Sequence, residues 1–388
     1  MSVVLVDLSI LATDTRVRGI GRYASDLALA LRAAIGKRPG VELRFLESID
    51  WNGRARIVED PAPLIERASQ PSRHDENRWQ WAYRLRVGLA RAARRTGAKL
   101  VHLPHAVATP LFMPSPLRLV TCHDLIPLRF ASHYAAWTSG FGPGRHVLDL
   151  RRYRSADHVV AISRATADDL VNLLGVPEDK ITVVPNGVAL ARWSASPGAG
   201  DEALRERLTL PRRYLLYAGD ADWRKNVDGM VLSLALARRD LPDLELVWAG
   251  RLSVERERSV WAAAERAGVG HALKLLGWIP DDELAALYRG AYAMLFVSRA
   301  EGFGLPVVEA MACGAPVVTS RTSSLREIAE DAALLVDPED PRAIADAIVS
   351  LSDGKLRSRL TRAGIARSRR YSLEEQAARM LALYRSLV

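Results

Sequence analysis

Two carboxylates that bracket a glycine-containing segment, Glu301 and Glu309, suggest chemistry more directly than any other pattern in the sequence. An apolar run at residues 293–297 precedes the segment and is typical of a buried strand, and a helical pattern follows it. Gly302 and Gly304 let the backbone approach a ligand, and the N–H groups at a helix N-terminus bind anions such as a diphosphate. Carboxylates accept hydrogen bonds from hydroxyl groups. The pattern therefore predicts a site for a diphosphate with a polyol on each side, which is the shape of a nucleotide-sugar.

A cationic pair, Arg224 and Lys225, follows the apolar run at residues 214–218 and is the second chemical candidate. Cleavage of a donor places negative charge on the leaving diphosphate, which fixed cations stabilise. A solvated turn is the plainer alternative. Asp220 and Asp222 form a D-x-D pattern that could hold a metal, but the adjoining cations disfavour that interpretation, and we expect no metal site.

The N-terminal half contains two weaker signals. A G-x-G-x-x-A pattern begins at Gly19 and includes Gly21, but about a dozen residues separate it from the predicted strand at residues 3–6, so a tight turn remains an alternative to a dinucleotide fingerprint. His123 directly follows the apolar run at residues 119–122, and open α/β sheets bind ligands at the carboxyl ends of their strands. A hydrogen-bonded loop histidine is the alternative there. Four further histidines lack metal-ligand spacing: His102, His105, His133 and His146.

Elements that could position these residues occur in two successive strand–helix series. The chain has 388 residues, of which 49% are hydrophobic, so it can build two separate cores. Two series of this kind predict an α/β protein with two Rossmann-like domains and parallel sheets. Small and flexible residues at 194–203 predict the linker between a first domain at 1–193 and a second at 204–371. A final helix at 372–388 begins at a Ser-Leu-Glu-Glu cap.

The charge balance is basic, with a net charge of +9 and a pI of about 9.8. This predicts phosphorylated ligands, an anionic membrane surface or nucleic acid as partners. The sequence contains no motif of aromatic and basic residues and no recognition helix that would support a nucleic-acid partner. Cys122 and Cys313 are the only cysteines, which excludes a cysteine metal cluster or a disulfide framework. An early acid, Asp7, and the absence of an apolar run of roughly 18 residues argue against a signal peptide and a membrane span. A cytoplasmic protein is expected.

The segment from Trp79 to Lys99 combines aromatic residues with arginines and allows two interpretations. It could be a sheet-packing helix with a solvated basic face. It could also contact a membrane from one side, since basic and aromatic residues suit anionic headgroups. At helical spacing Arg84, Arg91 and Arg95 should lie close together, with Arg86 and Arg94 away from them.

Together these motifs resemble glycosyltransferase family 4, a family of retaining enzymes with the GT-B fold. Glu301 and Glu309, with seven residues between them, match its Glu-x7-Glu motif, and the resemblance extends over residues 277–283, 309–318 and 335–340. The resemblance implies two Rossmann-like domains that face an interdomain cleft, with the final helix crossing back to the first domain.

The resemblance also implies a role for each candidate residue. Glu309 would hold the ribose of the donor, and Glu301 and His123 would orient the transferred sugar. The implied catalytic set is His123, Glu301, Arg224 and Lys225. The implied donor-binding set is Gly19, Gly21, Gly219, Arg224, Lys225, Ile279, Glu301, Gly302, Phe303, Gly304, Leu305 and Glu309.

The reaction that the resemblance implies is transfer of a hexose of mannose or glucose type from a GDP- or UDP-linked donor to a hydroxyl of a glycan or lipid-linked acceptor. The donor is a substrate, and neither a cofactor nor a metal is implied. Three alternatives remain open at this point: a sugar-nucleotide epimerase of the same fold, a Rossmann dehydrogenase, and a basic protein that binds without catalysing a reaction. The sequence does not specify the base, the sugar or the acceptor.

Overall fold

The computed structural model describes residues 1–17, 19–36, 40–69, 77–106, 109–110, 113, 115–134 and 151–388. It divides the chain into two compact units. The first unit contains Met1–Gly187 together with Leu373–Val388, and the second contains Val188–Ser372. Among the described residues, none of the helices combines the length and the apolar character needed to cross a membrane.

A seven-stranded sheet forms the centre of the first unit. Its strands are β1 Ser2–Asp7, β2 Val41–Ile49, β3 Ala55–Val58, β4 Ala98–Leu103, β5 Leu117–Cys122, β6 His158–Ala161 and β7 Ile181–Val183. The strand order is β3-β2-β1-β4-β5-β6-β7, and every pairing is parallel except that of β3 with β2. The order reverses between β1 and β4, so the carboxyl ends of these two strands form the usual place for a ligand.

The first unit also contains seven described helices. They are Gly19–Ile35, Ala62–Ser69, Arg78–Thr96, Ile126–Arg129, residues 151–155, Arg164–Leu174 and Leu373–Leu387, with 3-10 turns at Ser9–Ala12, Asp14–Val17 and Glu178–Lys180. The first of them buries Tyr23, Leu27 and Leu31 at helical spacing. The last helix of the chain buries Met380 and Tyr384 in the same core.

A six-stranded, entirely parallel sheet forms the centre of the second unit. Its strands are β8 Arg213–Ala218, β9 Leu244–Ala249, β10 Leu273–Gly277, β11 Ala293–Phe296, β12 Val317–Ser320 and β13 Leu334–Val336, in the order β10-β9-β8-β11-β12-β13. The order reverses between β8 and β11. The loops that follow these two strands carry the predicted cationic pair and Glu301.

Helices cover this second sheet. They are Asp201–Arg207, Val227–Ala237, Val254–Arg266, Asp281–Gly290, Leu305–Ala312, Ser323–Ala329, Pro341–Ser350 and Gly354–Ser368. The 3-10 turns of this unit are Trp223–Lys225, Gly270–Ala272, Glu330–Ala332 and Arg369–Tyr371.

The structure differs from the sequence prediction at the domain boundary, because the predicted linker at 194–203 belongs to the second unit. Trp193 is fully buried, with its ring centroid 5.8 Å from that of Tyr288. Asp201 begins a helix and accepts two hydrogen bonds of 2.6 Å from the Arg289 guanidinium. Small residues predicted flexibility, but these long-range contacts fix the segment, and the first boundary lies at Gly187 instead.

Candidate functional site

The segment between Glu301 and Glu309 has the strand–loop–helix geometry of an anion site. Gly304 adopts a φ of +116°, and a Cβ at this position would lie 2.6 Å from a methyl carbon of Leu325, so the loop requires glycine here. The helix Leu305–Ala312 starts immediately afterwards. Glu309 lies within that helix, is buried, and accepts a hydrogen bond of 3.3 Å from the Tyr288 hydroxyl.

Glu301 contacts both predicted cations. Its Oε1 accepts a hydrogen bond of 2.7 Å from Lys225 Nζ, and its Oε2 pairs with the Arg224 guanidinium. Lys225 is 7% exposed and Glu301 9% exposed, so water screens this pair little. Burial alone would raise the pKa of Glu301, but Lys225 and then Arg224 outweigh burial and hold that pKa below its usual value. Three residues of the predicted catalytic set therefore form one charged cluster, in which Glu301 is ionised.

Asn226, which the sequence analysis missed, ties this cationic turn to the sheet. It has a left-handed φ of +59°, and its Nδ2 donates to the Val297 carbonyl at 3.1 Å and to the Pro338 carbonyl at 2.6 Å. The Arg299 N–H also donates to the Arg224 carbonyl at 2.7 Å. An asparagine after a cationic turn is the only local signal of this role, since Asn tolerates the left-handed region.

Small hydroxyl residues at the end of β12 and just after it hold the Glu301 loop from its other side. Ser320 Oγ donates to the Ser298 carbonyl at 2.6 Å, and Ser324 Oγ lies 2.6 Å from the Phe303 carbonyl. Ser323 Oγ accepts the Glu301 N–H at 3.1 Å. The sequence analysis also missed these residues, although the cluster of hydroxyl side chains directly after a strand was a visible signal.

Three glycines bring the ends of neighbouring strands into backbone contact. Gly219 donates its N–H to the Ala249 carbonyl at 2.9 Å, and Gly250 donates to the Gly277 carbonyl at 2.7 Å. A Cβ on Gly250 would lie 2.0 Å from the Gly219 oxygen. The predicted residue Ile279 follows shortly after Gly277. This edge of the sheet is therefore free of side chains at Gly219 and Gly250, as a close ligand contact requires, and Gly250 is a further residue that was missed.

The D-x-D pattern is paired with an arginine. Arg256 Nη1 lies 3.2 Å from Asp220 Oδ2, and Arg256 Nη2 lies 3.5 Å from Asp222 Oδ2. Asp222 Oδ1 also accepts the Arg224 N–H at 3.2 Å and so caps the cationic turn. Within the described part of the chain, no group of three or more His, Cys, Asp or Glu residues is arranged to hold a metal ion. Asp222 thus supports the position of Arg224, while Asp220 pairs with Arg256.

In the first unit, the structure determines which nitrogen of His123 carries the proton. Nε2 lies 2.7 Å from the Pro104 carbonyl oxygen, which only accepts, so Nε2 is the donor and Nδ1 of the neutral ring is an acceptor. Burial, only partly opposed by that hydrogen bond, lowers the pKa of His123. The Tyr23 ring packs edge-on against it at 4.8 Å. His123 can therefore accept a hydrogen bond from a hydroxyl group at neutral pH.

The two predicted glycines of this unit lie at the start of a helix and not in a loop before it. Gly19 is the first residue of Gly19–Ile35, and Gly21 is buried in its first turn. His102 has a structural role, since Nδ1 lies 2.6 Å from the Tyr384 hydroxyl and Nε2 lies 2.8 Å from Thr121 Oγ1. His146 lies outside the described residues.

Each half of the chain matches the model of a known protein family. The model of Glycosyltransferase Family 4 matches residues 17–192, and the model of Glycosyl transferases group 1 matches residues 201–367. The O-antigen chain mannosyltransferase B of Escherichia coli is 31% identical over 238 residues, which are 60% of this chain and 61% of that protein. The match spans about three fifths of the length of such curated relatives.

Two solved structures show the same fold. Sucrose-phosphate synthase from Thermosynechococcus elongatus has a TM-score of 0.76 at 24% identity, and the match covers 100% of this chain and 99% of that one. HepE from Anabaena, solved in complex with UDP-glucose, has a TM-score of 0.68 at 19% identity and covers 99% and 100% of the two chains. Since the two family models match the two halves in turn, the chain belongs to glycosyltransferase family 4 and has the GT-B fold.

Proposed function

We propose that this protein is a retaining hexosyltransferase that uses a nucleotide diphosphate sugar as donor and a glycan or lipid-linked hydroxyl as acceptor, in the synthesis of a surface polysaccharide or glycolipid. The observation that carries the proposal is the cluster of Glu301 with Arg224 and Lys225, because it places two cations beside one carboxylate at the reversal point of a parallel sheet. The names of the relatives, a mannosyltransferase and a protein bound to UDP-glucose, support a mannose- or glucose-type donor.

In the proposed reaction, the bond between the anomeric carbon and the diphosphate oxygen breaks and a bond to the acceptor oxygen forms on the same face. The acceptor proton passes to the leaving phosphate. Arg224 and Lys225, with the backbone amides around Gly304, stabilise the charge that grows on that phosphate. Glu301 orients the hydroxyls of the transferred sugar.

A hydrolase mechanism based on the two glutamates is disfavoured by their environments. Such a mechanism requires one carboxylate that is available as base or nucleophile and a second carboxyl group that donates a proton. Glu301 is instead held in ion pairs by both Arg224 and Lys225. Glu309 is buried in a helix beside the Tyr288 hydroxyl.

The test of this function is a donor screen with UDP- and GDP-linked glucose and mannose, with and without a metal chelator. We expect slow release of nucleotide diphosphate from one donor, unaffected by the chelator, and retention of the anomeric configuration in the released sugar. Release of an epimerised free sugar would instead indicate an epimerase. Activity that a chelator removes and Mn²⁺ restores would indicate that Asp220 and Asp222 bind a metal.

Glu309→Ala is expected to weaken binding of the free nucleotide diphosphate by about 1.5–3 kcal/mol, because a charged acceptor for the ribose hydroxyls is lost. Isothermal titration calorimetry with UDP and GDP measures the change. Tyr288→Phe is the matched control, since it removes the hydroxyl that contacts Glu309 and keeps the carboxylate. Unchanged affinity in a folded Glu309→Ala protein would contradict the ribose role.

A further inference from the structure

An exposed stripe of large apolar side chains lies on the helix Arg78–Thr96. Trp79 is 55% exposed, Tyr83 61% and Val87 64%, and their spacing of four residues places them on one face. The opposite face is buried against the sheet through Trp81, Leu85 and Leu89. The stripe is therefore not part of the core of the first unit.

A second element extends this stripe. Trp51, in the turn between β2 and β3, is 62% exposed, and its ring centroid lies 6.4 Å from that of Tyr83. The guanidinium carbon of Arg84 lies 5.1 Å from the Trp51 ring centroid. Arg91 Nη1 lies 3.4 Å from the Asn52 carbonyl oxygen in the same turn. The helix and the turn thus form one surface, which was not foreseen from the helix sequence alone.

The arginines of this helix surround the stripe on the solvent side. At about 100° per residue, the exposed and half-buried positions fill an arc of roughly 180°, and Arg94 falls between Tyr83 and Val87. On this spacing Arg84, Arg91 and Arg95 lie at one end of the arc and Arg86 at the other, with Arg94 between them; Arg84 is half-buried and the other four are exposed. Lys99 lies in β4 and not in the helix. The helix contains no acidic residue.

We propose that this aromatic–arginine patch (Trp51, Trp79, Tyr83, Val87, Arg84, Arg86, Arg91, Arg94 and Arg95) binds the surface of an anionic lipid bilayer, with the helix lying parallel to the surface. Tryptophan and tyrosine side chains prefer the headgroup region, where an apolar ring and a polar atom are both satisfied. A helix with several arginines and no acid complements the negative potential of anionic lipids. The binding is weak and reversible, since the patch has few side chains to insert.

Vesicle co-sedimentation of the full chain tests the proposal. Vesicles of phosphatidylcholine alone and of phosphatidylcholine with phosphatidylglycerol are compared at low and high salt. We expect binding only to the anionic vesicles, decreasing with salt. The triple variant that combines Arg91→Gln, Arg94→Gln and Arg95→Gln should bind these vesicles with a partition coefficient on the order of 100-fold lower. Each arginine contributes a factor of about five. Trp51→Ala with Tyr83→Ala should lower the partition coefficient about tenfold.

The matched control removes the same charge from the second unit. Arg359→Gln, Arg362→Gln and Arg370→Gln replace three exposed arginines on or just after the helix Gly354–Ser368. This variant should bind vesicles like the unaltered protein.

Equal loss of vesicle binding in both triple variants would show that net charge, and not the patch, causes binding, and would overturn the proposal. Recovery of the protein in the supernatant under all conditions would also overturn it. The same holds if a soluble acidic polysaccharide displaces the protein from vesicles while the patch variants still bind vesicles as the unaltered protein does. The affinity for UDP and GDP, measured by calorimetry, reports on the second unit and should be unchanged in the patch variants. Failure of the membrane proposal is therefore distinct from failure of the proposed transferase function.

Discussion

Lys225→Ala is expected to lower turnover of the nucleotide-sugar by about 10²–10³-fold, with a smaller effect on donor affinity. The charge on the leaving diphosphate is larger in the transition state than in the bound donor, so a fixed cation acts mainly on the rate. Lys225 is suited to this role because its ammonium group is buried and is held 2.7 Å from Glu301. Arg224→Ala should have an effect in the same range, since Arg224 contacts the other oxygen of Glu301.

Removal of Lys225 also leaves Glu301 with one cation instead of two, and this effect must be separated from the loss of catalysis. Breaking a buried ion pair destabilises the protein by itself. The rate of Lys225→Ala is therefore compared in the native and the Glu301→Gln backgrounds, with thermal unfolding of each variant. If Lys225→Ala lowered donor affinity and left turnover unchanged, Lys225 would contribute only to binding the donor.

The parallel strands of both units were predictable because buried parallel strands appear as continuous apolar runs. The runs at 214–218 and 293–297 correspond to β8 Arg213–Ala218 and β11 Ala293–Phe296. The strand β3 was not predicted, since it is an edge strand whose residues are half-buried or exposed and lie in a polar stretch. Local composition therefore missed this antiparallel edge strand, which has no continuous apolar run.

The residues that position the candidate site could not be predicted in the same way. Asn226 contacts carbonyl groups that are 71 and 112 residues away in the sequence. Arg256 pairs with Asp220 from 36 residues away. No local pattern specifies such partners, whereas the Glu-x7-Glu spacing is contained in one loop and one helix. The charged residues of the site were therefore visible in the sequence, and the distant partners of Asn226 and Arg256 were not.

One buried carboxyl group in the first unit should make folding stability depend strongly on pH. Asp7, at the carboxyl end of β1, is fully buried, and its Oδ1 accepts hydrogen bonds from the Ser9 N–H at 2.9 Å and the Ser9 hydroxyl at 2.6 Å. Among the described residues, its Oδ2 has no hydrogen-bond partner. Burial raises the pKa of Asp7 to about 6 from the usual 3.8, and the Ser9 hydrogen bonds oppose this only in part.

Asp7→Asn is therefore expected to gain stability relative to the unaltered protein as the pH rises. The folded state holds the Asp7 proton more tightly than the unfolded state, so the stability that this group contributes is complete below pH 3.8 and is lost as the pH rises to about 6. The difference between the two pKa values corresponds to about 3 kcal/mol. Urea unfolding at about pH 4 and pH 8 should show the free energy of unfolding of Asp7→Asn rising by about 2 kcal/mol relative to the native chain, because pH 4 lies just above the unfolded pKa and part of the effect is already lost there. The asparagine N–H₂ group lacks a partner at both pH values, and this cost cancels in the comparison. Glu66→Gln, which replaces an exposed carboxylate of the same unit, is the control and should follow the native chain. A constant difference between Asp7→Asn and the native chain would mean that Asp7 titrates alike in the folded and unfolded states.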